Sequence, residues 1–320
     1  MSNIFFTTGN KPRAVVSIRR ATTGQPQPLN LAIPDGDTAG VHLQGSVPVR
    51  FLGVDSPEKN IDLAVVQGGD NDLDSPQWEA YLTDPFAPQY GPFELDEDLI
   101  AHLQTRLGPG AGVNHRFHAN HAQTALIDMV QADMDALGQD PNTFRYFIAF
   151  SFEVFDSNGR FLAFINRNQP NPDIPSLRPL PYNERILQRG AALPYFIWPN
   201  IDPFRDVSLL DAVISPGMAN QVAEVTPALR RAREFVRLAR LNGDGVFDPV
   251  NPLRFEAFEI RYLGRREAPN RAVIDLSRDD DIILRPQSYF RIPNPEDRLF
   301  IPAPFIPLFV SRGWRLEGWT

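Results

Sequence analysis

Between Ile33 and Glu58 the sequence reads IPDGDTAGVHLQGSVPVRFLGVDSPE: two short carboxylate-bearing turns bracket an alternating apolar strand that ends in an arginine-led run. Asp35, Asp37, Asp55 and Glu58 offer hard oxygen donors and a base, and Arg50 offers a planar fork able to hold two phosphate oxygens at once. These residue types make half of a metal–phosphate site, and such a site needs neither thiol nor imidazole. Pro57 restricts the backbone between Asp55 and Glu58, so their carboxylates stand in a defined relation rather than an averaged one. A second cation follows at Arg160, on the return arm of a hairpin whose turn reads Asp156-Ser157-Asn158-Gly159. Hydrolysis of a phosphodiester requires charge neutralisation on the phosphate oxygens, an activated water and a stabilised leaving oxygen, and these side chains offer a candidate for each. Taken singly, Arg50 reads as a solvated strand residue and Arg160 as a cross-strand partner of Glu153 or Asp156.

Three motifs in this order, D-G-D-T at 35–38, R-F-L-G-V-D-S-P-E at 50–58 and D-S-N-G-R at 156–160, resemble the staphylococcal-nuclease (thermonuclease) family, whose pattern runs D-G-D-T, R-L-x-x-[VI]-D-[TS]-P-E and D-x-x-G-R. The resemblance spans about residues 12–241, and Tyr182–Ala192, YNERILQRGAA, is similar to that family's second helix. It implies a five-stranded OB-type β-barrel packed with three helices, and Ca²⁺ held by the side chains of Asp37 and Asp55 and the carbonyl of Ser56. It also implies a phosphate clamped by Arg50 and Arg160, a water activated by Glu58, and cleavage leaving 3′-phosphate ends. Asp35, Thr38 and Asp156 are then expected to hold the turns around these groups. The chain departs from the family in the nucleotide pocket: Asn158 stands where a tyrosine is usual in the hairpin turn, and Tyr195 or Phe196 takes the place of the tyrosine after the second helix.

Short β-rich runs over residues 12–54, separated by Gly, Pro, Gln and Asp, suggest successive strands, with Val49, Phe51 and Val54 toward a core and Arg50 on the other face. Phe144 to Ile165 reads as a β-hairpin around Asn-Gly. His118 to Gly138 reads as a helix with a glycine stop, and Thr226 to Leu241 as another, with Thr226 as N-cap and Pro227 at the first position. His115, His118 and His121 drift around a helix without a carboxylate at ligand spacing, so they read as solvated side chains. NGDGVFD after the last helix fails the EF-hand register, which would put Arg240 at the first ligand position. Residues 59–114 depart from the family pattern as an insertion, with one amphipathic helix, DEDLIAHLQTRL, in what reads as decorated surface loop. From Pro249 onward FEAFEIRYLG, RAVIDLS, QSYFRI and LFIPAPFIPLFV read as further β-structure.

The chain has 320 residues, no cysteine and a net charge of −8. Disulfides, thiolate nucleophiles and zinc–thiolate sites are therefore excluded. The acid is local: residues 59–114 carry ten carboxylates against Lys59 and Arg106, whereas residues 160–240 carry eleven arginines against seven acids. A modest cationic face thus remains for a polyanion. No basic-then-apolar leader opens the sequence and no apolar run reaches the ~18 residues of a membrane helix, so a cytoplasmic address without membrane association is expected, although members of the resembled family are often exported.

The expectation is an α+β, mainly β chain: a nuclease-like domain over 1–248 with an acidic insertion at about 59–114, and a β-rich accessory extension over 249–320. Its expected activity is Ca²⁺-dependent phosphodiesterase (endonuclease) cleavage of DNA and/or RNA. The rival from another class is a module on the same barrel that binds nucleic acid or a protein partner, the latter through the extension, with cleavage weak or held off by the acidic insertion.

Overall fold

A computed structural model describes residues 6–8, 11–42, 46–65, 71–156, 159–203 and 207–319. Two six-stranded sheets and a set of helices make up an α+β architecture. The first sheet uses β1 (Phe6–Thr8), β2 (Lys11–Ile18), then, after the short helix α1 (Leu29–Ala32), β3 (Thr38–His42) and β4 (Ser46–Phe51). A single residue, Leu52, separates β4 from β5 (Gly53–Asp55), which leaves the first sheet and joins the second. Helices α2 (Pro76–Thr83), α3 (Glu97–Gln104) and α4 (Ala111–Leu137) precede β6 (Arg145–Ala149) and β7 (Phe161–Arg167). Then come α5 (Tyr182–Gln188), β8 (Leu193–Ile197), α6 (Leu209–Ala212), α7 (Ala219–Val225) and α8 (Pro227–Asn242). The C-terminal part contributes α9 (Ala257–Arg265), β9 (Arg271–Asp275), β10 (Ile282–Leu284), β11 (Arg298–Pro302), α10 (Ile306–Ser311) and β12 (Arg315–Glu317).

The first sheet runs β1-β2-β3-β4-β7-β6, and β6 also pairs with β2, so five strands close into a ring. All its pairings are antiparallel except β4 with β7. Strand alternation explains its core: Val49 and Phe51 are fully buried, and Val54 follows them inside. Helix α4 lays Ala122, Leu126, Met129 and Val130 into the same core, and α8 adds Leu229, Ala232 and Val236. Gly138, in the left-handed conformation, terminates α4.

The second sheet runs β12-β10-β9-β11-β8-β5. Four of its strands come from the C-terminal part, yet β8 pairs parallel with β11 and antiparallel with β5, so the sheet is continuous with the first 200 residues of the chain. A second hydrophobic core lies beneath it. Trp78, Tyr81, Leu82, Leu99 and Leu103 from the acidic stretch pack there against Phe255, Phe258, Ile260, Leu263, Tyr289 and Phe300 from the C-terminal part. Trp78 Nε1 donates to the Ile61 carbonyl at 3.0 Å and the Tyr81 hydroxyl to the Leu263 carbonyl at 2.6 Å, which satisfies both rings' polar atoms in the interior.

Several expectations are corrected here. The described residues of 59–114 are not decorated surface loop: α2 forms there as well as the expected α3, and the α2 aromatic residues are core, because the C-terminal part supplies the facing apolar surface. FEAFEIRYLG is α9, not a strand. Glu256 and Glu259 form a reciprocal cap at its N-terminus, and Ala257, Ile260, Leu263 and Gly264 share its buried face. QSYFRI lies in a 3₁₀ turn, Pro286–Arg291, and the last apolar run divides into β11 and α10 around its prolines. Among the described residues no helix is long and apolar enough to cross a membrane.

Candidate active site

The crossover at Leu52 places the two ends of the arginine-led run on different sheets. Arg50 sits in β4 opposite Thr38 of β3, so the D-G-D-T turn and the arginine meet by strand register. Within the turn Asp35 Oδ1 accepts from the Asp37 amide at 3.2 Å, and the Phe51 amide donates to the Asp37 carbonyl at 2.8 Å. Gly36 has a steric reason: a Cβ there would stand 2.4 Å from Ala122 Cβ and 3.0 Å from the Ala122 carbonyl carbon, because the turn rests against α4. Asp37 then receives the Ser56 amide at 2.9 Å and the Thr38 hydroxyl at 3.2 Å, tying the first turn to the second.

Arg50 donates to Asp55 Oδ1 at 2.5 Å and lies 3.5 Å from Asp37 Oδ2. Asp55 is held from the other side by Arg261 of α9, whose two terminal nitrogens reach its two oxygens at 2.9 and 2.7 Å. The same guanidinium donates to Glu58 Oε1 at 2.6 Å. Burial pushes the Asp55 carboxyl up, but Arg261 and Arg50 together outweigh that effect and hold it below the usual carboxylate range. Glu58 is pushed up instead, by burial first and by Asp37 and Asp55 next, against the opposing pull of Arg261 and Arg50. Asp35 is raised well above its ordinary range by burial and by the negative charges of Asp37 and Glu58.

His115 belongs to this site. Its Nε2 accepts the Glu58 amide at 2.9 Å, which fixes the loop bearing Glu58 and leaves the ring proton on Nδ1. Burial, with His118 and Arg261 adding to it, pushes its pKa down to about 3, so the ring is neutral at physiological pH. His118 is likewise buried, with Nε2 at 2.8 Å from the Asn251 carbonyl. The reading as solvated is therefore overturned for His115 and His118, because α4 begins seven residues before His118 and carries both rings inward, whereas His121 is exposed as expected.

Arg160 reaches the same cavity from the hairpin. Its Nε donates to Asp156 Oδ2 at 2.7 Å and its amide to Asp156 Oδ1 at 2.9 Å, and Gly159 takes the positive φ (74°) of the turn. A cavity of about 620 Å³ joins Arg50, Glu58, Asp156, Arg160, Tyr195 and Arg261. That volume lies within the range of small-ligand sites. Of the acids in residues 59–114 that are described, Asp62 alone lines it.

The structure thus gathers Asp35, Asp37, Thr38, Arg50, Asp55, Ser56 and Glu58, and brings Asp156 and Arg160 to the cavity that Arg50 and Glu58 line. Tyr195 lines that cavity, with its hydroxyl receiving Arg271 at 2.8 Å. Phe196 points instead into the main core, and Asn158 lies outside the described residues. Sequence reasoning missed Arg261 and His115. The available signals were the apolar spacing and paired glutamates of α9, and the three-residue step from His115 to His118 that carries both onto one side of α4.

Among the described residues no three carboxylate or imidazole groups stand ready-made as a metal cluster. The donor set nevertheless suits a hard cation. Asp35, Asp37, Asp55 and Glu58 are four carboxylates touched by only two guanidiniums, Arg50 and Arg261, and Asp35 has no ion-pair partner among the described residues. Compared with protein-family models the chain matches none, and a search of curated proteins finds no significant relative.

Proposed function

We propose that the chain is a Ca²⁺-dependent phosphodiesterase that cleaves DNA and/or RNA, built on an OB-type barrel. The observation that carries this reading is the convergence of Arg50, Glu58 and Arg160 on one cavity beside Asp37 and Asp55, although they come from three separated stretches of chain. The barrel reading is supported by the closed five-strand ring with its single parallel pair, and by α4 lying between the third and fourth ring strands.

Arg50 and Arg160 each retain free N–H groups after their carboxylate contacts, and those donors address the non-bridging oxygens of a phosphodiester. Glu58, raised by burial, is a stronger base than a solvated carboxylate and takes a proton from the attacking water. The water oxygen bonds to phosphorus as the bond to the 5′-oxygen breaks; the electron pair leaves with that oxygen, which takes a proton from solvent, so the products are a 3′-phosphate and a 5′-hydroxyl. His115 and Pro57 hold the Glu58 backbone so that its carboxylate approaches from one side. Asp37, Asp55 and the Ser56 carbonyl would hold Ca²⁺, which when bound supplies charge neutralisation at the phosphate.

A second reading, a module that binds nucleic acid or a protein partner without cutting, is favoured by one observation: Arg261 occupies both Asp55 and Glu58. Cleavage of single- and double-stranded DNA and of RNA, with Ca²⁺, Mg²⁺ or chelator, separates the two. The phosphodiesterase reading expects Ca²⁺-dependent cleavage lost in Glu58→Gln and Arg160→Ala. Binding by the wild type without cleavage under any condition selects the second reading.

A further inference from the structure

Among the described residues five arginines line the cavity: Arg50, Arg160, Arg261, Arg265 and Arg271. The first three have carboxylate partners, as described above. Arg265 and Arg271 have none among the described residues, and both come from the C-terminal part, beyond the stretch that holds the three motifs. Arg265 lies four residues after Arg261 on α9, so the two share a helix face, and it is exposed. Arg271 opens β9 and is half-buried. One of its terminal nitrogens donates to the Tyr195 hydroxyl, and its guanidinium lies 5.5 Å from the centre of that ring. Arg261 lines the same cavity, and its positive charge opposes that of Arg271. A half-buried guanidinium on a cavity that other guanidiniums line, with a phenol as its only hydrogen-bonded partner among the described residues, keeps most of its five donors for an anion.

We propose that Arg265 and Arg271 form a second anion subsite, which takes the phosphate next to the one addressed by Arg50 and Arg160 on a single-stranded oligonucleotide. The inference rests on the phosphodiesterase reading of the same cavity and deepens it. Both cationic pairs face one concave basin walled by the two sheets, and a flexible strand can turn successive phosphates into it, whereas a stacked duplex holds its phosphates on a fixed outer surface. The C-terminal part thereby extends the site from one phosphate to two.

The test is equilibrium binding, in chelator to prevent cleavage, of a thymidine dinucleotide with one internal phosphodiester and of the same dinucleotide carrying an added 5′- or 3′-terminal phosphate. The added phosphate at one end should tighten binding by roughly tenfold in the wild type, the gain of one charge-assisted contact. Arg265→Ala/Arg271→Gln, which leaves Tyr195 an amide partner, should lose that gain while binding the one-phosphate ligand as the wild type does. With a longer single strand its salt slope should fall by about 0.7, the share of one phosphate contact. Arg265→Ala alone changes an exposed residue and should lose part of the gain with an unchanged melting temperature. No gain in the wild type, or a gain undiminished in either variant, overturns the subsite. Cleavage without the gain therefore removes the subsite and leaves the phosphodiesterase reading, while the gain and its loss in the variants, without any cleavage, removes only the latter.

Discussion

Arg261 is the side chain whose removal reports most about the site. It pulls the Glu58 carboxyl down against burial and against Asp37 and Asp55, so Arg261→Ala should raise that pKa further. The base form of Glu58 is the active one, and the acid limb of kcat/KM should accordingly move to higher pH in the variant. A limb that stays in place would deny Arg261 this electrostatic role. The variant also leaves Asp55 with one guanidinium instead of two and should lose about 3 kcal/mol of stability, read from denaturant unfolding. Asp35 behaves oppositely. Its pKa in the folded chain is raised, so the folded state binds the proton more tightly than the unfolded one, and the strain of its charge grows as pH rises above the ordinary carboxylate range. Asp35→Asn keeps an acceptor for the Asp37 amide and should stabilise the chain in chelator, more at pH 8 than at pH 5. Equal effects at both pH values would mean that its charge is already neutralised.

At the scale of elements, the turns and helices that carry the site are set by close packing. The D-G-D turn lies against Ala122, so Gly36→Ala should push it off α4 and cost about 1–3 kcal/mol. Because the displaced residues are Asp35 and Asp37, Ca²⁺ affinity measured by calorimetry should fall more than stability does. Helix α9 is positioned by the second core, where Trp78 is fully buried and packs edge-on against Tyr81. Trp78→Ala should cost about 3–5 kcal/mol through cavity formation and the stranded Ile61 carbonyl. Since α9 carries Arg261, the same variant should shift the pH limb in the direction that Arg261→Ala does, which a purely distant packing defect would not.

At the scale of the whole molecule, β5 and β8 are edge-to-edge with strands that arrive more than 70 residues later, and the Trp198 amide donates to the Phe300 carbonyl at 2.9 Å. A chain cut after residue 248 would expose the β8 edge and the apolar faces of α2 and α3. We expect the full chain to unfold in one calorimetric transition and the 1–248 fragment to be insoluble or to lack a cooperative transition. Two separate transitions in the full chain, or a cooperative fragment, would show that the C-terminal part folds on its own.

Much of the candidate site was legible because its residues lie in short, locally determined units. The D-G-D-T turn, the alternating strand ending in Arg50, the proline-locked D-S-P-E and the D-S-N-G-R turn each place their side chains through nearby backbone geometry, and α4 and α8 announced themselves by spacing and by stop or start residues, α5 by its resemblance to a known helix. What the sequence by itself determined was therefore the set of catalytic candidates and the strands and helices that bear most of them. The tertiary structure alone decided which distant groups complete them. His115 meets the Glu58 amide across 57 residues, and Arg261 meets Asp55 across 206. FEAFEIRYLG could be read as a strand because aromatic and apolar residues suit either state, and only a facing surface from residues 59–114 settles it as a helix. That surface was itself hidden in a segment whose acidity suggested solvent. Burial is a property of a pair of surfaces, and no single stretch of chain carries the identity of the surface that will cover it.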